Sequence, residues 1–266
     1  MPRYLAINQG DHMTDIITIK EAGVLTVAFN RPEKKNSVTA MMYDALTQVL
    51  VDAATDTETR VVLFRGTEQI FSAGNDLVDF VRHPPSTQDA PVWNFLRTLS
   101  AFPKPLVAAV CGPAVGIGTT MLLHCDLVYA GSNARFSLPF VNLGVCPEAA
   151  SSLLLPKLFG YQGAAEVLLT GDPFDAETAL KLRLVNRVLP VEEVLEFAFM
   201  QASKIAQKPS SSIIETKRLL KRGDAARVLT RINEEAELFG QMIGAGAARE
   251  AIAAFSEKRK PDFSTF

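Results

Sequence analysis

The chain alternates short, uniformly apolar runs with longer stretches in which apolar residues recur every third or fourth position. Val61-Val62-Leu63-Phe64, ahead of Arg65-Gly66, and Leu106 to Cys111 have no polar face and predict buried strands. Ile16-Ile17-Thr18-Ile19-Lys20 and Val24-Leu25-Thr26-Val27-Ala28-Phe29 are β-rich, and Glu21-Ala22-Gly23 between them reads as a hairpin turn. Val38, Met42, Leu46, Val49 and Ala53 mark one helical face, so residues 39–55 are expected to form a helix with Thr39 as its N-cap. Val92, Phe95, Leu96 and Leu99 predict a helix over 90–101, ended by Phe102-Pro103-Lys104-Pro105. Short strands follow at Asp126 to Ala130 and Ala134 to Leu138, with a helix opening over 118–125 and another running through Leu158.

After Gly160 the pattern is helical to the end, punctuated by Gly171, Pro173, Pro190, Pro209 and Gly223. Residues 1–15 are polar and patternless and read as a loose arm, while Asp79 to Asp89 is a polar break and a candidate mobile flap. His83, before two prolines in that break, reads as a solvated side chain. The whole is α/β with a helical C-terminal subdomain, divided as a core over 1–205 and helices over 206–266.

At 266 residues and 48% apolar composition the chain is long enough for one large core. A net charge of −2 gives no basic face, so nucleic acid is not an expected partner. The apolar runs are too short and too broken for a membrane span. Met1-Pro2-Arg3-Tyr4 has no signal-peptide character and Phe263-Ser264-Thr265-Phe266 is not a Ser-Lys-Leu address, so a cytoplasmic protein is expected. Cys111, Cys125 and Cys146 form no metal-ligand spacing with the histidines and are expected to be reduced and buried, with no metal and no cofactor implied.

Two small-residue turns carry the candidate chemistry. The first, Ser72-Ala73-Gly74-Asn75-Asp76-Leu77, ends the strand at 61–66; the second is Gly112-Pro113-Ala114-Val115-Gly116-Ile117-Gly118-Thr119-Thr120. Turns of this kind expose backbone N–H groups, as an oxyanion hole requires, although an ordinary strand-to-loop turn has the same composition. Together the two resemble the signature of the crotonase (enoyl-CoA hydratase/isomerase) superfamily, over about Ile16 to Phe263.

That resemblance implies a spiral of ββα units, C-terminal helices that pack on neighbouring subunits as a homotrimer or a dimer of trimers, and an acyl-CoA thioester substrate. It implies oxyanion donors at Ala73 and Ile117, the latter in place of a commoner glycine. It also implies CoA contacts from Lys34 and Lys35, from Ser72, Ala73, Gly74, Asn75, Asp76 and Leu77, and from Phe255 and Lys258 near the end of the chain. Taken alone, Lys34, Lys35 and the basic tail also read as solvated charge. Leu184 to Val188 matches a further family element, with Arg183 where a glycine usually ends the helix.

The two glutamates that hydrate an enoyl-CoA in this family align with Thr120 and Phe140, so both carboxylates are absent. A phenylalanine moves no proton and threonine is a poor base. Glu148, in Cys146-Pro147-Glu148-Ala149-Ala150, is flanked by apolar and small residues that would desolvate it and raise its pKa; as a first-turn glutamate it would only complement a helix dipole. The paired motifs Phe71-Ser72-x-Gly74-Asn75-Asp76-Leu77 and Pro147-Glu148-x-x-Ser151-Ser152 are similar to the peroxisomal type of Δ3,Δ2-enoyl-CoA isomerase, in which the glutamate at this position is the base. The expected activity is that isomerisation in fatty-acid or related acyl degradation. Another crotonase reaction such as hydration, or a non-catalytic acyl-CoA-binding protein, are the alternatives.

Overall fold

The computed structural model describes Tyr4, Leu5 and residues 15–266. Its main sheet has seven strands, joined in the order β1 (Tyr4–Leu5), β2 (Ile16–Glu21), β3 (Val24–Phe29), β4 (Val61–Arg65), β5 (Leu106–Val110), β7 (Leu127–Gly131) and β10 (Arg187–Leu189). The first three pair antiparallel and the rest parallel, with Val27 opposite Phe64, Phe64 opposite Ala108 and Ala109 opposite Tyr129. A second sheet of three short strands, β6 (Pro113–Val115), β8 (Arg135–Ser137) and β9 (Phe174–Asp175), stands beside it.

The uniformly apolar strands are explained by their two covered faces. Val62, Phe64, Ala108 and Val110 face a core shared with α1 (Ala40–Thr55) and α3 (Pro91–Ala101). Val61, Leu63, Val107 and Ala109 face the small-residue stripe Ala198, Ala202 and Ala206 of α7 (Val194–Ala206). α1 starts where its pattern says, with the Thr39 side chain accepting from the Met42 N–H. The remaining helices are α2 (Leu77–Arg82), α4 (Ile117–Thr120), α5 (Ser151–Thr170, kinked at Gly160), α6 (Ala176–Lys181), α8 (Ser210–Lys221), α9 (Ala225–Ile243) and α10 (Gly246–Glu257). Val228, Ile232, Ala236 and Phe239 of α9 and Ala248 of α10 join the same core as the sheet, through contacts of α9 with α3 and α5.

Several sequence expectations need correction. The chain beyond Gly160 is not helical throughout: β10 extends the main sheet and β9 the small one. Asn186 locks β10 in place, its N–H donating to the Val128 carbonyl (2.8 Å) and its Oδ1 accepting from the Val128 N–H (2.7 Å). Asp79 to Arg82 is helical rather than loop, because Asp76 caps α2 by accepting from the Val78 and Asp79 amides. Tyr4–Leu5 pairs with β2, so the N-terminal arm is not without structure there; residues 1–3 and 6–14 lie outside the described residues. Arg183 does adopt the left-handed conformation (φ 66°) of the glycine it replaces. Cys111 is buried and free, whereas the free Cys125 and Cys146 are only half-buried by residue. No helix among the described residues is long and apolar enough to cross a membrane.

Candidate active site

The two small-residue turns meet backbone to backbone. Ser72 and Ala114 form an isolated parallel bridge, and the Val115 N–H donates to the Ser72 carbonyl at 2.9 Å. Gly74 has φ +87°, and a Cβ there would stand 2.9 Å from the Val115 carbonyl oxygen; only glycine allows that approach. The Arg31–Ser37 loop braces the same region. Buried Asn36 donates to the Ile70 and Phe71 carbonyls, and its own carbonyl accepts from the Ser72 hydroxyl.

An account of the amides in these turns corrects the expected oxyanion donors. The Ala73 N–H points at the Lys35 carbonyl (2.9 Å) and is consumed there. The Gly74 N–H goes to Ser72 Oγ and the Asp76 N–H to the Val38 carbonyl. Asn75, between them, has no acceptor for its N–H among the described residues, and neither has Ile117 at the first position of α4. Asn75 in the first turn and Ile117 in the second therefore each offer an unpaired donor, as do Leu77 and Gly118 at the helix starts beside them. The Asn75 side chain is fixed by Tyr43, whose hydroxyl donates to Oδ1 at 2.5 Å.

Glu148 is 1% exposed. Its Oε1 accepts from the Thr120 hydroxyl at 3.4 Å, and its Oε2 is buried with no partner among the described residues. Thr120 closes the single turn that Ile117 opens, a rise of about 5 Å. The carboxyl is thus tied to the segment that supplies the free amide. Burial, reinforced by the charge of Glu235, pushes the Glu148 carboxyl up to about 8 against the weaker pull of the Thr120 bond. Burial and the Glu148 charge push the Tyr43 phenol well above its usual value, so Tyr43 stays neutral.

A group raised from 4.5 to about 8 on folding stabilises the fold fully below its unfolded value, and that contribution is lost as pH rises through 8. Wild-type Tm is accordingly expected to fall relative to Glu148→Gln between about pH 5 and pH 9, by the equivalent of a few kcal/mol. Buried Lys217, lowered to about 8 chiefly by burial, titrates in the opposite sense in both proteins, so the difference isolates Glu148. A flat difference across that range would mean that Glu148 is ionised in the fold at neutral pH.

The other expected residues fall into separate groups. Lys34 and Lys35 are exposed on the loop that holds Ala73. Ser72 and Gly74 are buried in the turn, and Asp76 and Leu77 begin α2. Burial pushes the Asp76 carboxyl up, but the Arg31 guanidinium (2.7 Å) and the α2 amides outweigh it and hold it low. Phe255 (65% exposed) and Lys258 lie at the far end of α10, with no hydrogen bond or ion pair to the turns among the described residues. Asp126 is structural, accepting from the Leu106 N–H and pairing with Lys217. The ring of His83 is 63% exposed and meets Asp79 alone among the described residues. No group of three or more His, Cys, Asp or Glu suited to a metal occurs among the described residues.

Residues 19–265 match the family model described as enoyl-CoA hydratase/isomerase. The chain belongs to this family. Among the family's solved structures, Pseudomonas aeruginosa OdaA is 44% identical with a TM-score of 0.89, over 91% of this chain and 99% of that one. The enoyl-CoA hydratase/isomerase of Pseudoalteromonas atlantica T6c is 37% identical with a TM-score of 0.90, over 94% and 100%. The fold is thus the crotonase fold. The enoyl-CoA delta isomerase 2 of Rattus norvegicus is 37% identical over 83% of this chain, which spans only 57% of that protein. The 2,3-dehydroadipyl-CoA hydratase of Escherichia coli (strain K12) is 33% identical over 94% of this chain and 99% of its own length. The two curated relatives are named for different reactions, one an enoyl-CoA isomerase and the other an acyl-CoA hydratase.

Sequence reasoning passed over Glu235, Tyr43 and His124. Glu235 left a signal, since it lies on the apolar face of α9 with Val228, Ile232, Ala236 and Phe239. Tyr43 and His124 left none, because a buried aromatic or histidine on an apolar face is ordinary core composition.

Proposed function

We propose that this protein is a Δ3,Δ2-enoyl-CoA isomerase. The observation that carries the reading is a single buried carboxylate, Glu148, with one uncommitted oxygen, bonded to the segment that bears the free Ile117 amide. Ionised Glu148 takes the proton from C2 of a 3-enoyl thioester. Electrons move toward the thioester oxygen, where the Asn75 and Ile117 amides stabilise the dienolate. The same carboxyl returns the proton to C4, leaving the double bond between C2 and C3. No proton is gained or lost and no cofactor is required.

A pKa near 8 suits a group that must both take and give a proton near neutrality. Lys34, Lys35 and the Ser72–Leu77 turn would bind the CoA moiety. Phe255 and Lys258 would contribute from a neighbouring subunit of a homotrimer or dimer of trimers, an assembly supported by the exposed leucines Leu220 (81%), Leu229 and Leu238 on α8 and α9.

Similarity to the Escherichia coli hydratase favours a second reading, hydration of a 2-enoyl-CoA. Thr120 and Phe140, both buried, offer no carboxylate to position water. The test is purified protein with 3-hexenoyl-CoA, followed by absorbance of the conjugated thioester and by product chromatography. The expected product is 2-hexenoyl-CoA. No conversion of 3-hexenoyl-CoA, with 2-hexenoyl-CoA hydrated to the 3-hydroxyacyl-CoA in a parallel assay, would overturn the isomerase reading in favour of hydration.

A further inference from the structure

The turn that carries Glu148 is strained and is held from outside. The Ser151 N–H donates to the Glu148 carbonyl at 3.0 Å, closing a four-residue turn. Its central residues, Ala149 (φ 63°) and Ala150 (φ 56°), are both left-handed, the pattern of a type I′ turn that glycine and asparagine normally fill. Two consecutive alanines in that region cost free energy and persist only where surrounding contacts impose them. α5 begins at this point, with Ala150 as its N-cap and no local side chain capping it.

The missing cap comes from 85 residues along the chain. Glu235, 4% exposed on α9, accepts from the Ala150 N–H at 2.6 Å. Its other oxygen accepts from the Ser152 N–H at 3.0 Å and the Ser152 hydroxyl at 2.6 Å. The Ser152 hydroxyl in turn accepts from Arg231 at 2.9 Å. Each of these contacts is with a donor, the arrangement of an ionised carboxylate. The opposite edge of the turn is held by buried His124, whose Nε2–H donates to the Ala149 carbonyl at 2.8 Å.

We propose that Glu235 is a positioning residue for Glu148: its carboxylate, opposed by His124, clamps the left-handed turn and thereby fixes the Glu148 carboxyl beside α4. The proposal rests on the reading of Glu148 as the acid–base group. The geometry has a second consequence, because a buried negative charge behind the turn keeps Glu148 protonated to higher pH.

The other titratable groups facing Glu148 are neutral near pH 7. Tyr43 of α1 is held neutral by burial and by Glu148 itself. Cys146, just before the turn, is pushed up to about 11 by burial and Glu235. His124, beyond α4, is lowered to about 4 by burial and by Lys221 and Lys217 of α8. Arg231, also on α9, reaches the turn only through Ser152. Removing the Glu235 charge should therefore lower the Glu148 titration midpoint.

The test compares wild type with Glu235→Gln, which keeps the shape but sets an amide N–H against a donor whichever way it turns. The Glu148 carboxyl is titrated by 13C NMR of glutamate-labelled protein, assigned with Glu148→Gln, and kinetics with 3-hexenoyl-CoA are measured in parallel. The expected result is a lower Glu148 midpoint and a kcat reduced about tenfold to hundredfold, with KM little changed. A folded Glu235→Gln protein with the wild-type midpoint and wild-type kcat overturns the proposal.

A midpoint that moves in a protein with no isomerase activity would leave the clamp standing and sink the assigned reaction instead. If Glu235→Gln does not fold, Ser152→Ala removes one donor and the link to Arg231. It leaves the Glu235 charge in place, so it should reduce kcat by less than Glu235→Gln without lowering the Glu148 midpoint, and a wild-type kcat overturns the proposal. Ala150→Gly, which accepts a φ of 56° freely, should restore folding to Glu235→Gln.

Discussion

Glu148→Gln is expected to lower kcat for 3-enoyl-CoA isomerisation by roughly 10³-fold, with KM changed little. Glutamine has the volume of glutamate and still accepts from Thr120, so the buried site is not opened. What it lacks is the ability to take the C2 proton and return it at C4. A single carboxylate performing both transfers leaves no substitute. Thr120 is a weak base, Phe140 carries no proton, and Tyr43 is held protonated by burial. The substitution leaves the proposed CoA contacts on the Lys35–Leu77 side untouched, which is why the loss should fall on kcat. The variant should also be more thermostable than wild type above about pH 8, since it removes a carboxyl that must ionise in a dry site. Activity loss with a gain in stability separates removal of the base from general damage. Turnover within tenfold of wild type would remove Glu148 from the reaction.

Much of the frame that supports this chemistry is legible along the chain. The β2–β3 hairpin, the doubly covered β4 and β5, and α1 with its Thr39 cap all follow from local patterning. The pairing of the two turns at one site is implied by the family resemblance alone, since their contact is long-range. The features that were not legible depend on long-range pairing. β10 spans three residues and exists because Asn186 and the edge of β7 hold it; nothing in Arg187-Val188-Leu189 alone demands a strand. Which amide in the first turn is free depends on how the Arg31–Ser37 loop lies against it. That register assigns the Ala73 N–H to Lys35 and leaves Asn75 available. Glu235 acts across 85 residues of sequence, so its role is visible only when α9 is packed against the start of α5. The sequence points to Glu148 and to the small residues around it, while the contacts that hold its turn come from elements remote in the chain.

Ile117→Pro tests the other half of the site by deleting one N–H. Ile117 is the first residue of α4, where the amide has no intrahelical partner and a proline ring fits the helical φ. Gly116 ahead of it has φ 53° and ψ −116°, outside the α conformation that a following proline disfavours. The helix should therefore survive, and the Gly116 carbonyl should still accept from Thr119 and Thr120. If the Ile117 amide stabilises the dienolate, kcat should fall by about 10²–10³-fold. Ile117→Val keeps the amide while trimming the buried side chain, and should retain most of the activity. Circular dichroism and Tm would establish that the proline variant is folded. Equal, small losses in both variants would show that the site responds to the side chain at 117 and that the oxyanion is stabilised elsewhere. A large loss confined to proline, additive with nothing at Asn75 except its own backbone, would assign the developing charge to the point where the two turns meet. There the close approach of Gly74 to Val115 brings the first turn against the second, and the unpaired amides of Asn75 and Ile117 each belong to one of them.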